Sequence, residues 1–323
     1  MSDHLSIKTT EPEVDWAVFI PAVLVVLACA IPLIIFPEAS AALMVEAKNT
    51  ILNNFLWLYL VVAIGAFLFC MWLAFGRYAH VKLGAPDEPP EYSDFHWVAM
   101  MFTTAIGASV IAWGFAEPIF YLQTPPMGIE VGSSESFEWE HMYPLLHWGI
   151  IPWAIYALPA VPIAYMLYVK RYPILRISSA CDGALPKAGR GQIKTLIDIM
   201  IVLGIVGGVA TSLGLGVPLL SAMLSTLFEV PDSMLIKMTV LTLWTLIFGA
   251  SVYRGLKAGI KVLADINIAL AVIAILFVLL AGPGVFILDL TVNSVGLMFS
   301  NFISASTWTD PIEKGSFPKD WTG

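Results

Sequence analysis

Three large aromatic side chains, Trp148, Trp153 and Tyr156, stand inside the segment L-H-W-G-I-I-P-W-A-I-Y from Leu146 to Tyr156, whose remaining residues suit lipid. On one helix turning about 100° per residue, the three fall within an arc of roughly 140° and share a face. Electron-rich rings converging in a dry place attract a cation that has no hydrogen-bond donors, because the ring quadrupole contributes about 2 kcal/mol or more once water is excluded. A quaternary ammonium group has that chemistry. The alternative is the interfacial belt, in which Trp and Tyr simply mark the membrane surface.

Three carboxylates fall within apolar surroundings, where a charge costs at least about 2.5 to 3.5 kcal/mol unless it faces a cavity or a partner. Asp198 follows Lys194 by four residues and Asp265 follows Lys261 by four, so each is expected to form an i, i+4 ion pair near the membrane boundary. Glu117 precedes Pro118, whose missing N–H frees a carbonyl, and it either completes a broken helix or takes a direct part in transport. His147 adjoins Trp148 with no second His or Cys placed to help it, which favours a hydrogen-bonded packing role over a metal or proton relay. Two runs of small residues, A-I-G-A-S from Ala105 to Ser109 and G-G-V-A-T-S-L-G-L-G from Gly207 to Gly216, permit close helix packing. The sharper alternative is locally unwound backbone facing a cavity, with the Thr211 and Ser212 hydroxyls offering oxygen to a hard cation unless they bond their own helix. No H-E-x-x-H, G-x-S-x-G or Walker-type loop is present, which argues against a protease, esterase or NTPase, and an enzyme is not expected. Cys29, Cys70 and Cys181 form no ligand spacing.

The elements that must carry these residues are membrane helices. Of 323 residues, 59% are hydrophobic and 12% charged, and the mean hydropathy of +0.83 lies far from that of soluble domains. The net charge of −8 belongs to loops and names no partner; no nucleic-acid partner is expected. The polar, acidic N-terminus is unlike a signal peptide, so the first apolar run is expected to remain as a membrane helix. Seven stretches are long enough to cross a hydrocarbon core of about 30 Å: 16–36, 55–75, 97–122, 144–169, 196–227, 234–252 and 262–280. The fifth is long enough to imply tilt or a break, the latter at G-L-G-V-P, Gly214 to Pro218. Lys8, Arg77, Lys82, six basic residues from Lys170 to Lys194, and Arg254, Lys257 and Lys261 all fall on one side of these spans, twelve of the sixteen Lys and Arg. Positive residues gather in cytoplasmic loops, so the N-terminus is expected in the cytoplasm and the C-terminal end outside. The segment 286–303 reads as an amphipathic helix too polar to span and lying on the external surface.

Five motifs then carry a resemblance. W-G-F-A-E-P (Trp113 to Pro118), H-W-G-I-I-P-W-A-I-Y (His147 to Tyr156), A-T-S-L-G-L-G (Ala210 to Gly216), Y-R-G-L-K-A-G-I-K (Tyr253 to Lys261), and T-D-P with G-S-F-P-K-D-W-T near the end resemble the betaine/carnitine/choline transporter family, in its order and spacing, from about Trp16 onward. The resemblance implies an all-α integral membrane protein of the LeuT-type transporter fold, with two leading helices and two inverted five-helix repeats, often a homotrimer in the cell inner or plasma membrane. It implies secondary transport of glycine betaine, choline, carnitine or a sulfonium analogue, with Trp148, Trp153 and Tyr156 matching aromatic substrate-box positions. Glu117 lies in the A-E-P signature and is assigned no substrate contact.

Departures from the pattern bear on coupling. Sodium-coupled members carry G-x-G-x-G where this chain reads A-I-G-A-S, whereas sodium-independent exchangers carry an arginine where this chain has Asn267. These signals conflict. The reading adopted is ion coupling, with sodium as the possible ion and Thr103, Ile106, Thr211 and Ser212 as neighbours of ion sites. Family chains also continue beyond this linker, so the organisation expected is a cytoplasmic tail (1–15), two leading helices with a cytoplasmic loop (16–94), the first five-helix repeat (95–285), and an external amphipathic helix and linker (286–323). On that reading the chain is truncated, lacks the second repeat and cannot alone perform alternating access; the alternative function is a non-transporting truncated remnant or a regulatory membrane subunit.

Overall fold

Every regular element among the described residues is helical. The computed structural model describes residues 14–85, 87–105, 108–172, 176–255 and 261–322, and of 104, 105 and 108–111 the backbone alone. The α-helices are α1 (Trp16–Ile35), α2 (Pro37–Phe75), α3 (Asp94–Ala105), α4 (Ala108–Gln123), α5 (Ser134–Trp148), α6 (Ile150–Ala164), α7 (Ile177–Ala180), α8 (Arg190–Phe228), α9 (Met234–Gly255), α10 (Lys261–Ala281) and α11 (Gly284–Thr307). Short π-helical turns occupy Tyr165–Val169 and Pro318–Thr322. Among the described residues, seven stretches are long and apolar enough to cross a bilayer: α1, α2, Ser134–Val169, α8, Met234–Arg254, α10 and α11. The chain is a multi-pass membrane protein.

Local chemistry explains where these helices start and stop. The Asp15 side chain caps α1 by accepting from the Ala17 N–H at 3.2 Å, and Pro37 opens α2 at the position where a missing N–H is harmless. The span expected at 55–75 is the second half of α2, which begins eighteen residues earlier because 37–54 is rich in Ala, Leu, Met and Glu, all strong helix formers. At 39 residues α2 measures about 58 Å, nearly twice the hydrocarbon core. The expected break at Pro218 does not occur, and α8 runs through it as one helix. Within the span expected at 97–122, helix is described over α3 and α4, and 106 and 107 lie outside the described residues.

α11 covers the segment expected to lie along the external surface. Its composition is mixed, and its length and mean hydropathy also meet what a span requires. Thr291, Ser294 and Thr307 each donate to the carbonyl four residues back at 2.7 Å, which satisfies their hydroxyls within the helix.

The chain forms two compact units whose boundaries fall within α5, α8 and α11. In the unit built from 1–88, 145–206 and 298–323, α2 packs against α6, α1 and the turn Pro318–Thr322. Leu52, Leu56 and Leu60 recur every four residues as its buried stripe, the Cys70 thiol meets the Ala154 carbonyl at 3.7 Å, and Phe67 and Phe302 pack edge to face at 5.0 Å. In the unit built from 89–144 and 207–297, α3 packs along α10.

Candidate functional site

Gly149 divides the aromatic segment. α5 ends at Trp148 and α6 begins at Ile150, with Gly149 at φ −98° and ψ −125°, where a Cβ would collide with the Leu145 carbonyl oxygen. The single-helix arc that placed Trp148 beside the other two rings therefore does not hold across this residue. Trp153 and Tyr156 lie on α6, three residues apart, with ring centroids 6.4 Å apart and planes at 52°. That separation allows one cation within about 6 Å of both rings, the range over which ring quadrupoles act. Trp148 is half-buried at the end of α5, and Tyr156 is 55% exposed.

Trp153 also lines an apolar groove of about 500 Å³ between α2 and α6, together with Phe67, Cys70, Met71 and Ile150. The volume lies in the range of small-molecule sites, roughly 300–1,000 Å³. Sequence reasoning missed the α2 residues, since nothing in an apolar run tells a lipid-facing Phe or Met from one facing a neighbouring helix. His147 hydrogen-bonds Thr322 at 3.3 Å, which gives it the packing role its isolation suggested.

Two of the three carboxylates find partners that local spacing did not indicate. Asp198 pairs with Arg176 at 3.2 Å, and Lys194 instead holds Asp182 through two contacts of 3.1 and 3.2 Å. Asp265 pairs with His96 of α3 at 2.9 Å rather than with Lys261 as expected. In both cases a partner brought by tertiary packing displaces the modest gain of an i, i+4 pair, roughly 0.2–0.5 kcal/mol. Glu117 is buried at 5% exposure and receives the Tyr121 hydroxyl one turn on, while α4 continues through Pro118 without breaking.

Around the expected ion sites, the Asn267 amide donates to the Thr103 hydroxyl at 3.3 Å, joining α10 to α3. The Thr211 hydroxyl donates to the Gly207 carbonyl at 3.0 Å, and both Thr211 and Ser212 are exposed on α8. Ile106 lies outside the described residues.

Arg176 joins two carboxylates. Its Nη1 donates to Asp15 at 2.7 Å and to Asp198 at 3.2 Å, and the Asp15 bond keeps the guanidinium charged while holding the Asp15 carboxyl below the usual carboxylate range. Sequence reasoning counted Arg176 only as a cytoplasmic positive charge. A family model described as BCCT, betaine/carnitine/choline family transporter, matches residues 17–323.

Proposed function

Because the chain belongs to the betaine/carnitine/choline transporter family, we propose that it takes part in ion-coupled secondary transport of a quaternary-ammonium or related zwitterionic osmolyte: glycine betaine, choline, carnitine or a sulfonium analogue. The family consists of carriers, so the protein is not an enzyme, and its substrates are small molecules crossing a bilayer. The observation that supports the substrate class is the Trp153–Tyr156 pair, 6.4 Å apart beside an apolar groove. A methyl-covered nitrogen loses little hydration there and gains the ring faces. Trp148, on the other side of the Gly149 break, is the third member of the proposed set.

On this reading α1 and α2 are the leading helices of a LeuT-type arrangement, the five-helix repeat follows from 95 to 285, and three copies assemble. The concentration of Lys and Arg in alternate loops supports a cytoplasmic N-terminus. Sodium is the coupling ion, and the neutral Asn267 beside Thr103 leaves room for it where an arginine would not.

Equilibrium binding of radiolabelled glycine betaine and choline, beside uptake into proteoliposomes, tests the assignment. Trp153→Ala is expected to weaken choline binding about 30-fold, the loss of about 2 kcal/mol of ring–cation attraction. Unchanged binding in both Trp148→Ala and Trp153→Ala would remove the aromatic site, and failure to bind any quaternary amine would remove the substrate class.

A further inference from the structure

A second cavity, of about 490 Å³, lies at the N-terminal ends of α1 and α8 beside α7, away from the aromatic rings. Its walls carry Arg176 and Lys194 against Asp15 and Asp198, so the lining charge is balanced and favours neither a simple anion nor a simple cation. Ser178 closes it from within. This side chain is fully buried, and its Oγ has no hydrogen-bond partner among the described residues. A buried hydroxyl left in that state is costly unless something outside the chain completes it.

The donors and acceptors in place sort into two groups. Lys194 directs two contacts at Asp182, and an ammonium has three donors. Arg176 meets both carboxylates through Nη1 only, and a guanidinium has five N–H groups on three nitrogens. With the Ser178 hydroxyl, these form a donor set for phosphate oxygens. Asp198, 8% exposed, receives Arg176 on Oδ2, and its other oxygen is an acceptor for an N–H group. A primary ammonium supplies such donors, whereas a trimethylammonium has none.

The surroundings indicate a lipid. Val14 and Trp16 line the cavity, and α1 continues from its rim with Phe19, Ile20 and Leu24 exposed, a path for acyl chains along an apolar helix. Trp16 at 62% exposure and Tyr172 sit where aromatic side chains mark the headgroup level. We propose that the cavity bounded by Asp15, Arg176, Ser178, Lys194 and Asp198 binds the phosphoethanolamine head group of a membrane phospholipid. The phosphate rests on Ser178, Lys194 and Arg176, and the ammonium on Asp198 and Asp15.

The test is lipid retention by the purified chain after a detergent wash in equal amounts of phosphatidylethanolamine, phosphatidylglycerol and phosphatidylcholine, quantified by mass spectrometry. Phosphatidylethanolamine is expected to be retained over the other two. Ser178→Ala, which removes one hydroxyl and little volume, is expected to lower its retention about three- to tenfold with no loss of thermal stability in lipid-free detergent. Asp198→Asn is expected to shift retention towards phosphatidylglycerol. Equal retention of all three lipids, or a Ser178→Ala chain that retains as much phosphatidylethanolamine as the parent, overturns the proposal. Soluble glycerophosphoethanolamine competing as strongly as the lipid itself overturns the lipid assignment in favour of a soluble zwitterion.

Discussion

Asp15 and Asp232 show how single carboxylates tie loops to helix ends. Asp15 is held by Arg176, and Asp232 by the Ser221 hydroxyl and by Lys237 at 3.0 Å; each is thereby kept below the usual carboxylate range. A carboxyl whose folded value is depressed binds protons less readily folded than unfolded, so its stabilising contribution is complete above the unfolded value and disappears as pH falls through the folded one. Thermal unfolding measured from pH 7 down to pH 3 is expected to show a loss of stability at the acid end, and Asp15→Asn to flatten that loss. Because both carboxylates are substantially open to water, the effect is modest and weakens further in high salt. At Asp265 the expectation differs: its contact with His96 is part-buried, and Asp265→Asn is expected to cost about 1 kcal/mol in detergent melting experiments. Both real partners of the membrane carboxylates, 22 residues away for Asp198 and 169 for Asp265, were invisible to a reading that compares a residue with its own helix.

Among the elements, the break between α5 and α6 governs how the aromatic set is presented. Gly149→Ala forces its Cβ onto the Leu145 carbonyl, so α5 or α6 must shift. The expected outcome is a loss of about 1–3 kcal/mol in thermal stability, accompanied by weaker choline binding as Trp148 moves relative to Trp153. Retained binding in this variant would show that Trp148 contributes nothing to the site. The residues of this segment were legible in the sequence while its break was not, because one glycine inside a helical pattern costs only about 1 kcal/mol and leaves the apolar periodicity intact. Pro218 likewise suggested a break, yet α8 runs through it as one helix. The α3–α10 seam carries a prediction about coupling. Asn267→Arg places a cation beside Thr103, and if sodium binds there, labelled-betaine uptake is expected to lose its sodium dependence.

For the whole molecule, orientation is the property easiest to check, since the chain's three cysteines are well distributed. Cys29 lies in α1, Cys70 sits against Ala154, and Cys181 follows α7 in the basic connection between α6 and α8. A membrane-impermeant thiol reagent added outside sealed cells is expected to leave Cys181 unlabelled, with labelling appearing once the membrane is opened; labelling from outside would invert the topology. The helical class and the membrane setting followed from composition alone, and α1, α9 and α10 fell within a few residues of the apolar runs. The division into two units did not follow, because it depends on which helix faces meet, and lipid-facing and protein-facing apolar surfaces have the same composition.

The hydroxyls that bond within their own helices bear on how such a chain is made. Thr195, Thr211, Thr226, Thr239, Thr242 and Thr245 all close onto the preceding turn, so α8 and α9 can leave the ribosome and enter lipid with those groups already settled. α3 has no such independence. His96 and Thr103 are synthesised more than 160 residues ahead of Asp265 and Asn267, and until α10 arrives its polar face waits for a counterpart. A nascent chain halted before α10 would therefore present quality-control proteases with α3 as its weakest point.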